Sequence, residues 1–305
     1  MRSFVILLFI ALCFTAFSCG GKETGKPKSS AGLVRFVHNE APQGADLDVI
    51  DSKDRHLFRI LLPEFVMAEN VPDSSFLNHQ IPGEWGKTDG IHWCRLRNTK
   101  WVEANIALMP HEKGTLILFD IRNLSDQLLE GVTMDICVSV SHIPCPNGAW
   151  INPRFISVPE PPDRDSAGNF WYEKVAPYNL KAYMNGHWTI AHPQPDKPSS
   201  LGVPRYTPFN YLDDKAYIMA VESLNGKERL FQAWDSPSRA RCAFPGNSCM
   251  HLEPLLADKL LPGQISYIRG EISITEASWT DVSKWSAEKF SSEYESMKTV
   301  FKERE

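Results

Sequence analysis

Residues 101–140 read WVEANIALMPHEKGTLILFDIRNLSDQLLEGVTMDICVSV. Three apolar runs, Trp101–Leu108, Thr115–Ile121 and Val132–Val140, are separated by His111-Glu-Lys-Gly114 and Asn123-Leu-Ser-Asp126. Each run has the length of a strand and each break is rich in turn formers. The stretch therefore predicts a core meander of antiparallel strands, around which the rest of the chain is arranged.

Outward from this stretch the same texture continues. Leu33–Val37, Leu57–Val66 and Ile91–Arg97 read as strands, whereas Val71–Gly90, with two prolines and three glycines, reads mostly as loop. On the C-terminal side Lys215–Ser223, Arg229–Trp234, Arg239–Phe244, Ser248–Leu252 and Gln264–Ile274 alternate with turn signals, among them Asn225-Gly226 and Pro245-Gly246. Asn185-Gly186 marks another hairpin. Strands at about ten-residue spacing indicate an all-β, large two-sheet antiparallel β-sandwich. Near the end the period changes. Val282, Trp285, Phe290, Tyr294, Met297 and Phe301 form one apolar face at a spacing close to 3.6. This predicts a C-terminal amphipathic helix packed on the sandwich.

The N-terminus predicts export. Arg2 precedes the apolar run Phe4–Phe14, which is short for a membrane span, and small Ala16 and Ser18 stand just before Cys19. Ala16-Phe-Ser-Cys19 resembles a bacterial lipobox, in which the cysteine thiol carries the lipid. Gly20–Gly32 lacks any large apolar side chain and reads as a flexible tether. The expected organisation is a signal peptide over 1–18, a tether over 19–32, a sandwich over 33–275 and a helical tail over 276–305. The expected location is the periplasmic or surface face of a bacterial membrane, with the lipid on Cys19 as the only membrane contact.

The charge is mildly acidic, 32 basic against 37 acidic side chains. No Lys/Arg cluster appears, which argues against nucleic acid as a partner. Export permits disulfides. Beyond Cys13 and Cys19 the chain has Cys94, Cys137, Cys145, Cys242 and Cys249, an odd number. Cys242 and Cys249 flank a Pro-Gly turn and are expected to pair across it; Cys137 and Cys145 could close a second short loop.

Cys249, His251 and Glu253 alternate, so on a strand they share one face. Thiolate, imidazole and carboxylate are the groups that ligate Zn²⁺ or form a nucleophile, base and orienter. Three residues on one strand rarely converge on one small ion, so neither metal nor cofactor is expected. The ligand site is instead expected in the proline-rich region Pro144–Pro208, where Trp150 and Trp171 can stack on a sugar ring and Arg154 and His187 can bond its hydroxyls.

Certain residues of the chain resemble galactose-mutarotase-like supersandwich proteins: Trp101 opening a strand, Leu118–Asn123 ending in a polar turn, and Cys137 on the next strand; a later pattern, Cys249-Met-His251 followed by Pro262-Gly263, resembles exported bacterial proteins of unassigned function. The supersandwich resemblance implies a large two-sheet fold and a role connected with carbohydrate. The first functional expectation is a lipid-anchored module that binds a glycan or glycoconjugate. The second is a carbohydrate-active hydrolase, lyase or epimerase drawing acid and base groups from His92, His187, His251, Glu103, Glu253 and Arg154. A third is a structural envelope protein. Two or more of these groups meeting within hydrogen-bond reach in a concave pocket would favour the enzyme; their scatter would favour the module.

Overall fold

The computed structural model describes residues 32–38, 46–71, 77–78, 81–98, 100–139, 155, 163–164, 170–171, 180–190, 212–242 and 249–302. The predicted leader, tether and lipid-bearing Cys19 lie outside these residues.

The described chain is almost entirely antiparallel sheet. Its strands are β1 (Arg35–His38), β2 (Asp46–Ile50), β3 (His56–Met67), β4 (Leu77–Asn78), β5 (Glu84–Thr88), β6 (Ile91–Asn98), β7 (Val102–His111), β8 (Gly114–Asn123) and β9 (Leu129–Ser139). A separate small ribbon pairs β10 (Asp163–Arg164) with β11 (Phe170–Trp171). There follow β12 (Leu180–Met184), β13 (His187–Ile190), β14 (Leu212–Glu222), β15 (Arg229–Cys242), β16 (Cys249–Leu260) and β17 (Ile265–Thr275). The tail contains α1 (Trp279–Val282), a 3₁₀ turn (Ala287–Phe290) and α2 (Ser291–Lys302).

The main path through the sheet is β1-β2-β3-β9-β16-β15-β17-β8-β7-β6-β5. Folding of this long sheet into two layers follows from β15. Its first part, Arg229–Trp234, pairs with β17, and its last part, Ser238–Cys242, pairs with β16. The bend falls at Asp235-Ser236-Pro237, where a proline cannot donate to a ladder. A strand that changes partners at a bend makes the corner of a sandwich. One core then gathers residues from both layers, among them Phe58, Ile60, Leu62, Ile136, Val138, Met250, Leu252, Ile106, Phe119, Ile121 and Trp234.

Three expectations are corrected. The stretch 101–140 does form three strands, but they are not one meander. β7 pairs with β8, whereas β8 goes on to pair with β17 and β9 with β3 and β16. The turn after β8 crosses between layers. Asn123 holds it, donating through Nδ2 to the carbonyls of Gln127 at 2.8 Å and Leu260 at 2.9 Å. Second, the stretch predicted as loop over 71–90 contains β5. Its Gly86 lies so close to the indole of Trp93 that a β-carbon there would sit 1.8 Å from the ring, so this glycine marks a close approach within a strand. Third, the predicted strands Arg229–Trp234 and Arg239–Phe244 form one bent strand. The Asn185-Gly186 turn is as expected, with both residues at positive φ, 50° and 83°.

The amphipathic tail packs as predicted, in three pieces instead of one helix. Tyr294, Met297 and Val300 of α2 are buried against Ile91, Trp93, Ala107, Leu116 and Leu118 on the outer face of β6, β7 and β8. Tyr294 donates its hydroxyl to the Gly270 carbonyl at 2.7 Å. Ser278 caps α1 and Ser286 caps the 3₁₀ turn, each accepting from a backbone N–H.

Candidate functional site

The outer face of β3, β9 and β16 is built differently. The register sets Cys137 opposite His251 and Leu61, and Ser139 opposite Cys249 and Arg59. Because side chains alternate, Cys137, Cys249 and His251 share one face, and Ile136, Val138, Met250 and Leu252 point into the main core. On that outer face the carboxylate of Asp135, on the same strand as Cys137, joins them. β3 supplies a further carboxylate. Its register shifts between Leu61 and Phe65, and within that irregularity Glu64 reaches across the sheet.

The result is a cluster of titratable groups, buried except for the partly exposed Glu64. Nδ1 of His251 is 3.2 Å from Oδ1 of Asp135 and 3.1 Å from Oε2 of Glu64. Asp135 is fully buried and His251 is 3% exposed. The Cys137 and Cys249 thiols are buried beside each other and against Leu61. Cys137, Cys249 and His251 each bring a ligating atom within 4.8 Å of the other two, and so do Glu64, Asp135 and His251. Glu253 is buried at the next outward position of β16. Nearby, Arg59 forms a bidentate pair with Asp46.

The two thiols do not titrate alike. Hydrogen bonding from Cys137, with further help from His251 and Ser139, holds the Cys249 thiol below its ordinary range against the opposing effect of burial. The bond to Cys249, together with burial, pushes Cys137 up. The pair gives up one proton readily and the second with difficulty, as coupled groups do. A carboxylate against Nδ1 sets the tautomer of a neutral His251, with the proton on Nδ1 and the lone pair on Nε2. Such an assembly can shuttle a proton, present a thiolate or ligate a cation.

The other predicted groups scatter. His92 is on β6, its ring edge-on to Phe36, and burial together with Lys87 lowers it to about 4, so it stays neutral near pH 7. Glu103 lines a separate cleft of about 420 Å³ with Arg95, Asn105, Asp120, Arg122 and Phe301. In that cleft burial raises Asp120 to about 6, opposed by hydrogen bonds from Asn105. His187 is exposed at the start of β13, its Nδ1 3.3 Å from the Asn185 carbonyl. Trp150 and Arg154 lie outside the described residues. Of Trp171 only the backbone is described, opposite Asp163. Phe155, from the same proline-rich region, is buried in the main core. Cys242 stands opposite Met250 in the ladder, and Cys249 is a thiol beside Cys137. The structure thus holds no bridge at Cys249; the side chain of Cys242 and the whole of Cys145 lie outside the described residues.

Of this cluster, sequence reading found the β16 half and missed Glu64, Asp135 and Cys137 as its partners. The available signal was an acidic residue inside each of two apolar strands, LLPEFVM and VTMDICV.

The sequence matches no protein-family model and no curated protein. Among solved structures it is similar to a galactose mutarotase-like protein from Lactobacillus casei (10% identity, 79% of this chain and 100% of that one, TM-score 0.44). It is also similar to an aldose epimerase homologue from C. elegans (10%, 80% and 100%, TM-score 0.38). A polysaccharide lyase gives 10% identity over 81% of this chain and 33% of that one, with a TM-score of 0.41. Identity this low and superposition this loose transfer no residue role.

Proposed function

We propose that the protein is an exported, lipid-anchored enzyme of carbohydrate chemistry, a hydrolase, lyase or epimerase, with its reaction centre at the His251, Asp135 and Glu64 cluster. One observation carries this reading: a buried imidazole with two carboxylates against its Nδ1, Asp135 buried and Glu64 partly exposed, supplied by three strands far apart in sequence. Burying such groups costs several kcal/mol and adds little to stability compared with apolar packing. Ionisable groups assembled at that cost mark a working site. Reactions at sugar carbons and glycosidic oxygens need a proton taken from one atom and given to another. Two carboxylates and an imidazole within hydrogen-bond reach supply both roles. Carbohydrate as the substrate class is supported by the resemblance to supersandwich proteins, one of whose marks, Cys137, falls in the cluster. Trp150, Trp171, Arg154 and His187, expected as a loop platform, belong to the binding-module alternative and not to this centre.

The test is turnover. The purified full chain is offered mono- and polysaccharides, and anomeric exchange, reducing ends and unsaturated products are followed. One of these is expected, and Asp135→Asn lowers its rate on the order of 10²–10⁴-fold. No turnover, with glycan binding unaffected in Asp135→Asn, replaces the enzyme by the binding module. The anchor is checked separately: Cys19→Ser abolishes incorporation of labelled fatty acid, and unchanged membrane attachment in that variant removes the anchor.

A further inference from the structure

We propose that Cys137, Cys249 and His251 form a binding site for a thiophilic divalent cation, Zn²⁺ among biological metals. The proposal rests on the reading above only in using the same cluster. Two sulfurs and one imidazole nitrogen lie within 4.8 Å of one another on the central strands β9 and β16. A tetrahedral Zn²⁺ with sulfur legs of about 2.3 Å and a nitrogen leg of about 2.0 Å separates its ligands by roughly 3.5–3.8 Å. Closing the difference takes side-chain adjustment and no change of backbone. The donor set matters more than the distances. Two thiols with an imidazole select zinc over magnesium or calcium, which prefer oxygen.

A second feature points the same way. The Asp135 and Glu64 carboxylates sit at 3.2 and 3.1 Å from Nδ1 of His251. For a zinc bound through Nε2, carboxylates on Nδ1 would fix the ring and raise its basicity, the usual support of a zinc-bound histidine. Three protein ligands leave a fourth position for water or a carboxylate oxygen, the open arrangement of reactive zinc sites. With the ion in place His251 is a ligand, and the proton-moving role falls to Glu64 and Asp135.

The competing fate of two adjacent thiols in an exported protein is a Cys137–Cys249 disulfide. Bound zinc prevents it, because both sulfurs are then held as metal thiolates. The two fates exclude each other, which makes the test sharp. The full chain is purified without chelators, its zinc content is measured, and the metal is then exchanged for Co²⁺. We expect one zinc per chain, and with cobalt an intense thiolate-to-metal band in the near ultraviolet with the visible bands of a tetrahedral ion. Cys137→Ser and Cys249→Ser lose the sulfur band. Asp135→Asn keeps it with affinity weakened about 10–100-fold. If the serine variants do not fold, the wild-type cobalt spectrum decides alone. Absence of the sulfur band, or a Cys137–Cys249 disulfide in the isolated protein, overturns the site. Bound zinc without sugar turnover removes the enzyme reading and leaves this one standing; turnover with neither bound zinc nor a cobalt–sulfur band removes this one and leaves the enzyme reading standing.

Discussion

The outer faces of two parts of the same sheet have opposite contents. Over β6, β7 and β8 the face is apolar: Ile91, Trp93, Ala107, Leu116 and Leu118 are covered by Tyr294, Met297 and Val300 of α2. Over β3, β9 and β16 the face carries buried Asp135, Cys137, Cys249 and His251 and the partly exposed Glu64. Both are buried and both back onto the same core. The first gains free energy from apolar area removed from water, about 25 cal/mol per Å². The second spends free energy desolvating charges. Where one sheet covers its outer surface in both ways, the apolar face serves the fold, and the polar one is where the proposed chemistry sits.

This contrast breaks first at the helix. Tyr294 is 1% exposed and spans the contact, so Tyr294→Ala is expected to cost about 3–5 kcal/mol in urea unfolding. A loss below about 1 kcal/mol would show that α2 merely rests on the sheet.

A smaller effect tests whether buried carboxylates in this sheet oppose folding. Burial raises Asp120 to about 6 from an ordinary 3.8. A carboxyl whose folded value is raised contributes stability that is complete below its unfolded value and is lost as pH rises through the folded one. Between about pH 4 and pH 6 the wild type therefore forfeits up to roughly 3 kcal/mol from this group. Asp120→Asn keeps an acceptor for Asn105 and flattens that dependence. Identical pH slopes for the two proteins would show that Asp120 is not desolvated in solution.

The smallest stability effect is expected at the His251 cluster. Asp135→Asn retains an acceptor near His251 and removes a buried charge. Its melting midpoint is therefore expected to stay level or rise, the equivalent of less than about 1 kcal/mol of loss, because the buried charge it removes is costly to desolvate and the amide oxygen still accepts from His251. A large destabilisation would mean that the polar cluster holds the sheet together, and the difference between the two faces would disappear.

Much of the architecture was legible because its signals are local. Alternation and turn residues located most strands, Asn185-Gly186 and Asn225-Gly226 their hairpins, and a 3.6-residue period the apolar face of the tail. Gly86 misled because a breaker and a point of close approach look alike until the facing indole of Trp93 is known. The three segments of 101–140 misled because adjacency in sequence says nothing about which edge of a strand receives the next one.

The candidate site divides along the same line. That Cys249, His251 and Glu253 share a face follows from a two-residue period, a property of one strand. That Cys137 stands opposite His251, and that Asp135 and Glu64 reach its ring, follows from the register of β9 against β16 and β3. Register between strands distant in sequence is settled by how all the apolar faces are buried together, and the irregularity that presents Glu64 exists only within that pairing. Sequence alone determined an all-β chain with an amphipathic tail and named half of the polar cluster. Tertiary structure alone decided the other half, because strand pairing across the sheet brings those groups within reach of one imidazole.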